Sequence, residues 1–289
     1  MKKILYLDPF AGVSGDMFVG ALLGLGVDLE AVRRDVGCLN LEGFEIRASR
    51  VTRQGLAGTK FDVLNPATGR SVDDPRDHVH GHTHDHHHDH GELHAHGQHH
   101  HHAADEPMRQ SQRGLGEIRR LIGESSLPVE IVADVMALFE IIGRAEAAVH
   151  GKGIEEVHFH EVGAVDTIVD IVAAVSALHR LEVDEVVCAP IHVGSGTVRC
   201  AHGLLPVPAP ATLEILRGLP IYATELQGEL VTPTGAALLR HFCCRFGPLP
   251  PLLVEAIGYG AGTREYALPN LLRATLGRET LLPVNRPDR

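Results

Sequence analysis

The chain has 289 residues, of which 44% are hydrophobic, so it can bury a substantial core in one large or two modest domains. Lysine and arginine number 26 against 37 aspartates and glutamates, a formal net charge of -11. This balance argues against nucleic-acid and anionic-membrane partners, which need concentrated positive charge, and favours cations as ligands. No apolar stretch is long enough for a signal peptide or a spanning helix, and the five cysteines have no paired spacing. We therefore expect a cytoplasmic protein.

The first predicted elements form a strand, a loop and a helix. Residues 3–7 are predicted to be a strand, which the loop DPFAGVSGD joins to a helix at about residues 16–25. Residues 44–64 alternate polar and apolar side chains around two glycines, which predicts two antiparallel strands joined by a short turn.

The next segment, from Pro66 to about Gln110, contains almost no apolar side chains. Burial cannot offset the entropy lost on ordering such a segment, so we expect it to be disordered. The sequence thus predicts one discontinuous α/β domain, residues 1–65 and 111–289, interrupted by a disordered histidine-rich insertion at 66–110.

The remaining elements predict a partly parallel sheet with flanking helices. Helices are predicted near residues 116–122, 128–150 and 164–181, and two more begin near 209 and 233. Strands are predicted around the HFHE sequence and at 186–193, 254–259 and 270–276. The fold class is therefore α/β with a mixed sheet.

The insertion contains fourteen of the 21 histidines. Imidazole is a ligand suited to nickel, zinc and copper, and a flexible polyhistidine segment can wrap several ions without fixed geometry. An expression tag or a plain linker is the alternative, but tags are rarely internal and mixed with aspartates. We expect metal storage or delivery, with occupancy falling below about pH 6.5 as imidazoles protonate. The predicted ligands are His78, His80, His82, His84, His86, His87, His88, His90, His94, His96, His99, His100, His101 and His102.

A second candidate metal site lies in the sequence HFHEVGAVDTIVD. Strand alternation would place His158 and His160 on one face, followed by Glu161, and by Asp166 and Asp170 one turn apart on a helix. Two like charges at that spacing repel unless a cation or an arginine lies between them. The alternative is that the carboxylates pair with arginines or reach solvent while the histidines form core hydrogen bonds.

The loop DPFAGVSGD is a third candidate. Asp8 ends the strand and Asp16 begins the helix, so both are predicted metal ligands, while Gly12, Ser14 and Gly15 would contact a phosphate. The loop matches neither the phosphate-loop pattern nor a dinucleotide fingerprint, so an ordinary glycine-rich turn is the alternative.

Two further polar segments are predicted to contact substrate. In GELVTPTGAALL, Thr232 or Thr234 can cap a helix whose free amides suit phosphate or carboxylate, although an ordinary cap is equally consistent. Ser195 and Thr197 follow a predicted strand at its carboxyl end, where ligands of α/β proteins usually bind.

Four long motifs, LDPFAGVSGDM, HFHEVGAVDTIVDI, GSGTVRCAHGLLPVPAPAT and GELVTPTGAAL, occur in this order with the histidine-rich insertion between the first two. Together they resemble the LarC family over nearly the whole chain. The resemblance implies a nickel chelatase of the lyase class. It would insert Ni(II) into pyridinium-3,5-bisthiocarboxylic acid mononucleotide to form the nickel-pincer cofactor, with CTP and Mg(II) or Mn(II) required. No catalytic residue is assigned.

Family members commonly carry a further C-terminal domain, whereas this sequence stops at Arg289. We therefore expect a separate C-terminal polypeptide as a partner, and a homo-oligomer. A histidine-rich nickel storage protein or metallochaperone is the alternative function. A nucleotide-dependent phosphotransferase is disfavoured, because no lysine accompanies the glycine loops as phosphate loops require.

Overall fold

The computed structural model describes residues 1–72, 113–157, 159, 163–200 and 202–280. Its strands are β1 (Lys3–Asp8), β2 (Glu45–Arg53), β3 (Leu56–Leu64), β4 (Glu185–Cys188), β5 (Ile191–His192), β6 (Gly194–Ser195), β7 (Thr197–Cys200), β8 (Gly203–Pro206), β9 (Ile221–Tyr222), β10 (Gly228–Glu229), β11 (Arg245–Phe246), β12 (Leu252–Ala261) and β13 (Leu271–Glu279). Its α-helices are α1 (Gly15–Gly24), α2 (Leu29–Val36), α3 (Leu115–Gly123), α4 (Val129–His150), α5 (Val165–Leu181), α6 (Pro210–Ile215) and α7 (Pro233–Phe242).

Seven strands form the main sheet, in the order β11-β4-β1-β13-β12-β3-β2. Strand β4 pairs in parallel with β1 and β11, and β12 pairs in parallel with β3, while the remaining neighbours are antiparallel. This confirms the predicted α/β class with a mixed, partly parallel sheet and flanking helices.

Strand β1 lies inside the sheet and is buried on both faces. Leu5 and Leu7 belong to the main core with Phe18 of α1, whereas Ile4 and Tyr6 belong to a smaller apolar cluster. Alternate side chains of a strand point to opposite faces, so the run KILYLD supplies both clusters. Burying a leucine side chain contributes about 1.5 to 3 kcal/mol, which makes this strand a major source of stability.

Helix α1 lies against the sheet with almost no side chains between the two backbones. A Cβ added at Gly260 would lie 1.7 Å from the carbonyl oxygen of Met17, and one added at Gly258 would lie 2.1 Å from that of Ala21. A Cβ at Gly20 of the helix would likewise lie 2.3 Å from the carbonyl oxygen of Thr59. Glycine is therefore required on both sides of this contact.

Some predicted elements were wrong in detail. The strand predicted at residues 186–193 is two strands, because β4 ends at Cys188 and β5 pairs instead with β9. Pro190, which has no N–H to donate, lies at the break. Helix α2 was not predicted, although Asp28 caps it by accepting a hydrogen bond from the Glu30 N–H. Val149, near the end of α4, is 43% exposed although it is apolar.

Residues 66–72, predicted to begin the disordered insertion, instead form a turn that returns to β3, where the Val72 N–H donates to the Val63 carbonyl at 3.0 Å. The remainder of the predicted insertion carries the fourteen histidines, and a strand was predicted around HFHE. Residues 73–112, His158, His160 and Glu161 lie outside the described residues. The division into domains stays a prediction. Among the helices that the structure does describe, none combines the length and hydropathy that crossing a bilayer requires.

One carboxylate joins three of the helices. Asp134 of α4 accepts hydrogen bonds from the Nε2 atoms of His179 on α5, at 2.6 Å, and His241 on α7, at 2.8 Å. Partial burial by itself raises the pKa of Asp134, but the hydrogen bonds and charges of the two histidines outweigh it, so the pKa lies below its ordinary value of 3.8. We call these three residues the helix clamp.

Replacing the clamp carboxylate tests its contribution to stability. Asp134→Asn should lower the free energy of unfolding by about 1 to 3 kcal/mol near neutral pH, because an amide N–H then faces an imidazole donor. A carboxylate whose pKa is lower in the folded than in the unfolded protein stabilises the fold at pH values above its unfolded pKa. This stabilisation is lost as the pH falls through the folded pKa. The difference from wild type should therefore be full above about pH 3.8 and shrink below it.

Urea unfolding followed by circular dichroism at several pH values measures this difference. Glu130→Gln is the matched control, because Glu130 is exposed on the same helix and the exchange removes the same charge. Equal stability of Asp134→Asn and wild type near neutral pH would contradict a stabilising clamp.

Candidate functional site

A cavity of about 1150 Å³ lies at the N-termini of α1, α5 and α7. The first turns of α1, α5 and α7 all contribute to its wall, together with parts of β3, the end of α4 and the β7–β8 hairpin. Free N–H groups and the positive end of the helix dipole make each helix N-terminus attractive to anions. The cavity brings together Ser14, Gly15, Asp16, Asp166, Asp170, Thr232 and Thr234, all of which the sequence predicted as site residues.

Backbone pairing holds the N-termini of α1 and α7 side by side. The Val13 N–H donates to the carbonyl of Leu230 at 2.9 Å, and the Thr232 N–H donates to the carbonyl of Val13 at 3.1 Å. The Thr232 hydroxyl then caps α7 by accepting from the Gly235 N–H at 3.2 Å. The loop before α1 and the segment before α7, which were predicted as separate sites, are therefore hydrogen-bonded to each other.

Among the described residues of this wall, the most buried charge is Lys60, on β3. Its residue is 8% exposed, and its Nζ lies 2.5 Å from Asp16 Oδ2 and 3.4 Å from Asp62 Oδ1. Nζ also donates to the carbonyl oxygen of Phe61 at 2.9 Å. Sequence reasoning missed Lys60, because it lies 44 residues from Asp16 and belongs to no motif.

The acidic neighbours of Lys60 determine its ionisation. Burial alone lowers the pKa of Lys60, but the charges of Asp16, Asp62 and Asp170 and the hydrogen bond to Asp16 more than offset this effect. Its pKa is therefore raised above the ordinary 10.5, and the side chain is a permanent cation at neutral pH.

Asp170 lies against the beginning of α1. A Cβ added at Gly15 would be 2.6 Å from Asp170 Oδ2 and 2.9 Å from its Cβ, so the glycine leaves the space that this carboxylate occupies. Asp166, one turn earlier on α5, also lines the cavity. Asp166 and Asp170 thus lie in the same acidic part of the wall as Asp16, at the start of α1. We call these three residues the aspartate corner.

Another part of the wall carries imidazoles that were not predicted as ligands. His150 Nε2 lies 3.5 Å from Glu146 Oε2, one turn away on α4. The ring of His202, in the β7–β8 turn, has its centroid 4.8 Å from that of His150. The spacing of Glu146 and His150 along a helix was the available sequence signal.

Four predicted residues do not line the cavity. Asp8 pairs with Arg273, and the Ser195 hydroxyl donates to the carbonyl of Leu226 at 2.9 Å. Gly12 has a positive φ of 84° and faces the Leu230 backbone, and Thr197 is exposed on β7.

Acidic groups dominate the described part of the cavity wall. Six carboxylates, Asp16, Asp62, Glu146, Asp166, Asp170 and Glu229, face three cations, Lys60, Arg199 and Arg264. This excess favours a cation. No three histidine, cysteine or acidic side chains within the described residues are already arranged to hold a metal ion. His158, His160, Glu161 and the insertion histidines lie outside those residues.

An acidic cavity bordered by three helix N-termini suits a ligand that combines a metal cation with anionic groups. The fold and this cavity therefore define an α/β protein with an acidic cavity at helix N-termini. The chain belongs to the nickel insertion protein family, whose model matches residues 5–286.

Curated proteins to which this chain is similar are also named as nickel insertion proteins. The chain is 44% identical over 275 residues to the pyridinium-3,5-bisthiocarboxylic acid mononucleotide nickel insertion protein of Desulfitobacterium hafniense, covering 95% of this chain and 58% of the relative. It is 43% identical over 287 residues to the protein of that name in Geobacillus kaustophilus, covering 99% and 62%. The chain therefore spans about 60% of the length of these relatives. No solved structure matches it.

Filling the space beside Gly15 tests the aspartate corner. Gly15→Ala should displace the Asp170 carboxylate and weaken Mn(II) binding roughly tenfold, because ligands must be held to within about 0.5 Å. Mn(II) is the probe because carboxylates suit it better than imidazoles do, which limits the contribution of the histidine-rich segment. Electron paramagnetic resonance of free Mn(II) gives the affinity.

The control is Gly116→Ala on α3, where an added Cβ meets no heavy atom within 4 Å. Circular dichroism checks that both variants fold. Wild-type Mn(II) affinity in a folded Gly15→Ala protein would contradict a role for this corner in binding cations.

Proposed function

We propose that this chain holds Ni(II) and pyridinium-3,5-bisthiocarboxylic acid mononucleotide in one cavity while the metal enters the thiocarboxylate pincer. The main observation is that the cavity of about 1150 Å³ combines the aspartate corner with three helix N-termini. The choice of nickel as the metal follows from family membership, and the choice of substrate follows from the names of the relatives.

The anionic groups of the mononucleotide are assigned to the helix N-termini. Ser14 and Gly15 begin α1, and Thr232 and Thr234 begin α7, with the two turns joined by backbone hydrogen bonds. The Ser14 hydroxyl and the Met17 N–H already donate to Asp16 Oδ1, so a phosphate or carboxylate placed there would be held by the threonine hydroxyls, the remaining N–H groups and the dipoles of both helices. No binding role is assigned to Ser195, Thr197 or Gly12, because none of them lines the cavity.

The metal is assigned to the aspartate corner. Asp16, Asp166 and Asp170 supply hard oxygen donors, and the sequence predicts further ligands in His158, His160 and Glu161, just before α5. Oxygen and imidazole donors hold Ni(II) less tightly than two sulfur donors do, so transfer to the thiocarboxylates would be downhill. Transient binding is what a metal-insertion protein requires.

The proposal also includes the reaction class, the nucleotide requirement and the partners. The reaction is that of a chelatase of the lyase class, and it depends on CTP with Mg(II) or Mn(II). A separate C-terminal polypeptide completes the active protein, which is a homo-oligomer. The relatives that are named for nickel insertion are longer than this chain, which covers 58% and 62% of two of them. This difference is the reason for testing activity with an added C-terminal polypeptide.

A histidine-rich nickel store or metallochaperone is the second candidate. It is favoured by the fourteen histidines between His78 and His102, which can bind several ions without a folded site. In that case the histidines would deliver nickel and the cavity would have no part in insertion.

Nickel transfer to the mononucleotide, followed by absorbance, separates the two functions. The intact chain, a chain lacking residues 78–102 and Asp170→Asn would each receive CTP and Mg(II) or Mn(II), with and without a C-terminal polypeptide. We expect transfer by the first two. We expect at least roughly tenfold slower transfer by Asp170→Asn, because a neutral amide is a poorer metal ligand than a carboxylate.

Glu255→Gln is the matched control, because this exposed carboxylate on β12 pairs with Arg278 and does not line the cavity. Transfer lost on deleting the histidines but unchanged in Asp170→Asn would favour the metallochaperone. Absence of transfer in every combination would overturn the insertion function.

A further inference from the structure

Lys60 is a cation held within an acidic cluster. Only 8% of the residue is exposed, and Asp16, Asp62 and Asp170 all act on its charge. A buried ammonium is costly unless it is paired, and these carboxylates would repel one another without a cation among them. Lys60 therefore stabilises the cluster before any metal arrives.

The hydrogen bonds of the ammonium favour this role over phosphate binding. A lysine has three N–H donors. Here Nζ donates to Asp16 Oδ2 at 2.5 Å and to the Phe61 carbonyl at 2.9 Å, and Asp62 Oδ1 lies at 3.4 Å. Two of the three donors are thus used in hydrogen bonds, and Asp62 Oδ1 lies at ion-pair distance on the same ammonium, so a phosphate would have to approach it against two carboxylates.

We propose that the Lys60 ammonium is a built-in competitor that occupies part of the cation position of the aspartate corner and must give up Asp16 when a divalent ion binds. This inference rests on the proposed role of that corner in binding nickel. It adds a residue that determines how tightly the ion is held.

Competition by a tethered cation has a direct consequence for metal transfer. Positive charge beside the site repels the ion, and the ammonium can return to Asp16 as the ion leaves. Both effects lower metal affinity and favour release to a stronger ligand. A site with only carboxylates would bind the ion more tightly and release it more slowly.

The test compares Mn(II) binding to full-length wild type, Lys60→Met and Lys60→Arg by electron paramagnetic resonance. Lys60→Met should bind Mn(II) at least about tenfold more tightly, because it removes a like charge that would lie beside the ion. Lys60→Arg keeps the charge and should bind no more tightly than wild type. The matched control is Lys3→Met, because Lys3 Nζ donates to the Leu181 carbonyl at the other end of β1.

A thermal measurement covers the case in which Lys60→Met is unstable. The apo variant should melt below wild type, since its carboxylates have lost their counter-ion, and Mn(II) should raise its melting temperature more than that of wild type. A variant that binds Mn(II) no more tightly than wild type and gains no extra stability from it would overturn the proposal.

Two further results identify which assignment has failed. Inorganic phosphate that stabilises wild type but not Lys60→Met would show that the ammonium is an anion ligand, and would overturn the competitor role. Tighter Mn(II) binding by Lys60→Met in a protein that never transfers nickel would support the competitor and overturn the proposed insertion function instead.

Discussion

The close contact between α1 and strands β3 and β12 is the constraint on which the cavity depends. Glycines at 20, 258 and 260 let the helix backbone approach the sheet so closely that an added Cβ would overlap a carbonyl group. The contact fixes the distance between α1 and β3. As a result, Asp16 Oδ2, at the N-terminus of the helix, lies 2.5 Å from Lys60 Nζ. Any wider separation would pull apart the ion pair around which the aspartate corner is built.

The elements were predictable from sequence where local patterns determine them. The strand–loop–helix opening, the antiparallel pair that follows it and the helix beginning after Pro128 have strong periodicity and clear turn residues, and all are present. The strand predicted at 186–193 was wrong because the apolar run was given more weight than Pro190, and the sequence does not show that the second half pairs with a different strand.

The site was predictable only in part, because sequence motifs show which residues are unusual but not which of them meet. Ser14, Asp16, Asp170 and Thr232 do line one cavity. Asp8 looks equally suitable in the sequence, yet it pairs with Arg273, a partner 265 residues away. Lys60 shows the converse, since an isolated lysine on an ordinary strand acquires its role only through tertiary contacts.

The pairing of β1 also determines when the cavity can exist. Strand β1 pairs with β4 and β13, Lys3 lying opposite Arg278, and Val13 is hydrogen-bonded to residues near 230. Contacts so distant in sequence form late, and domains generally fold only after their segments have left the ribosome. A nascent chain therefore exposes Asp8 long before its partner Arg273 is made. The cavity is therefore a property of the completed fold, because its wall forms only after distant parts of the chain have paired.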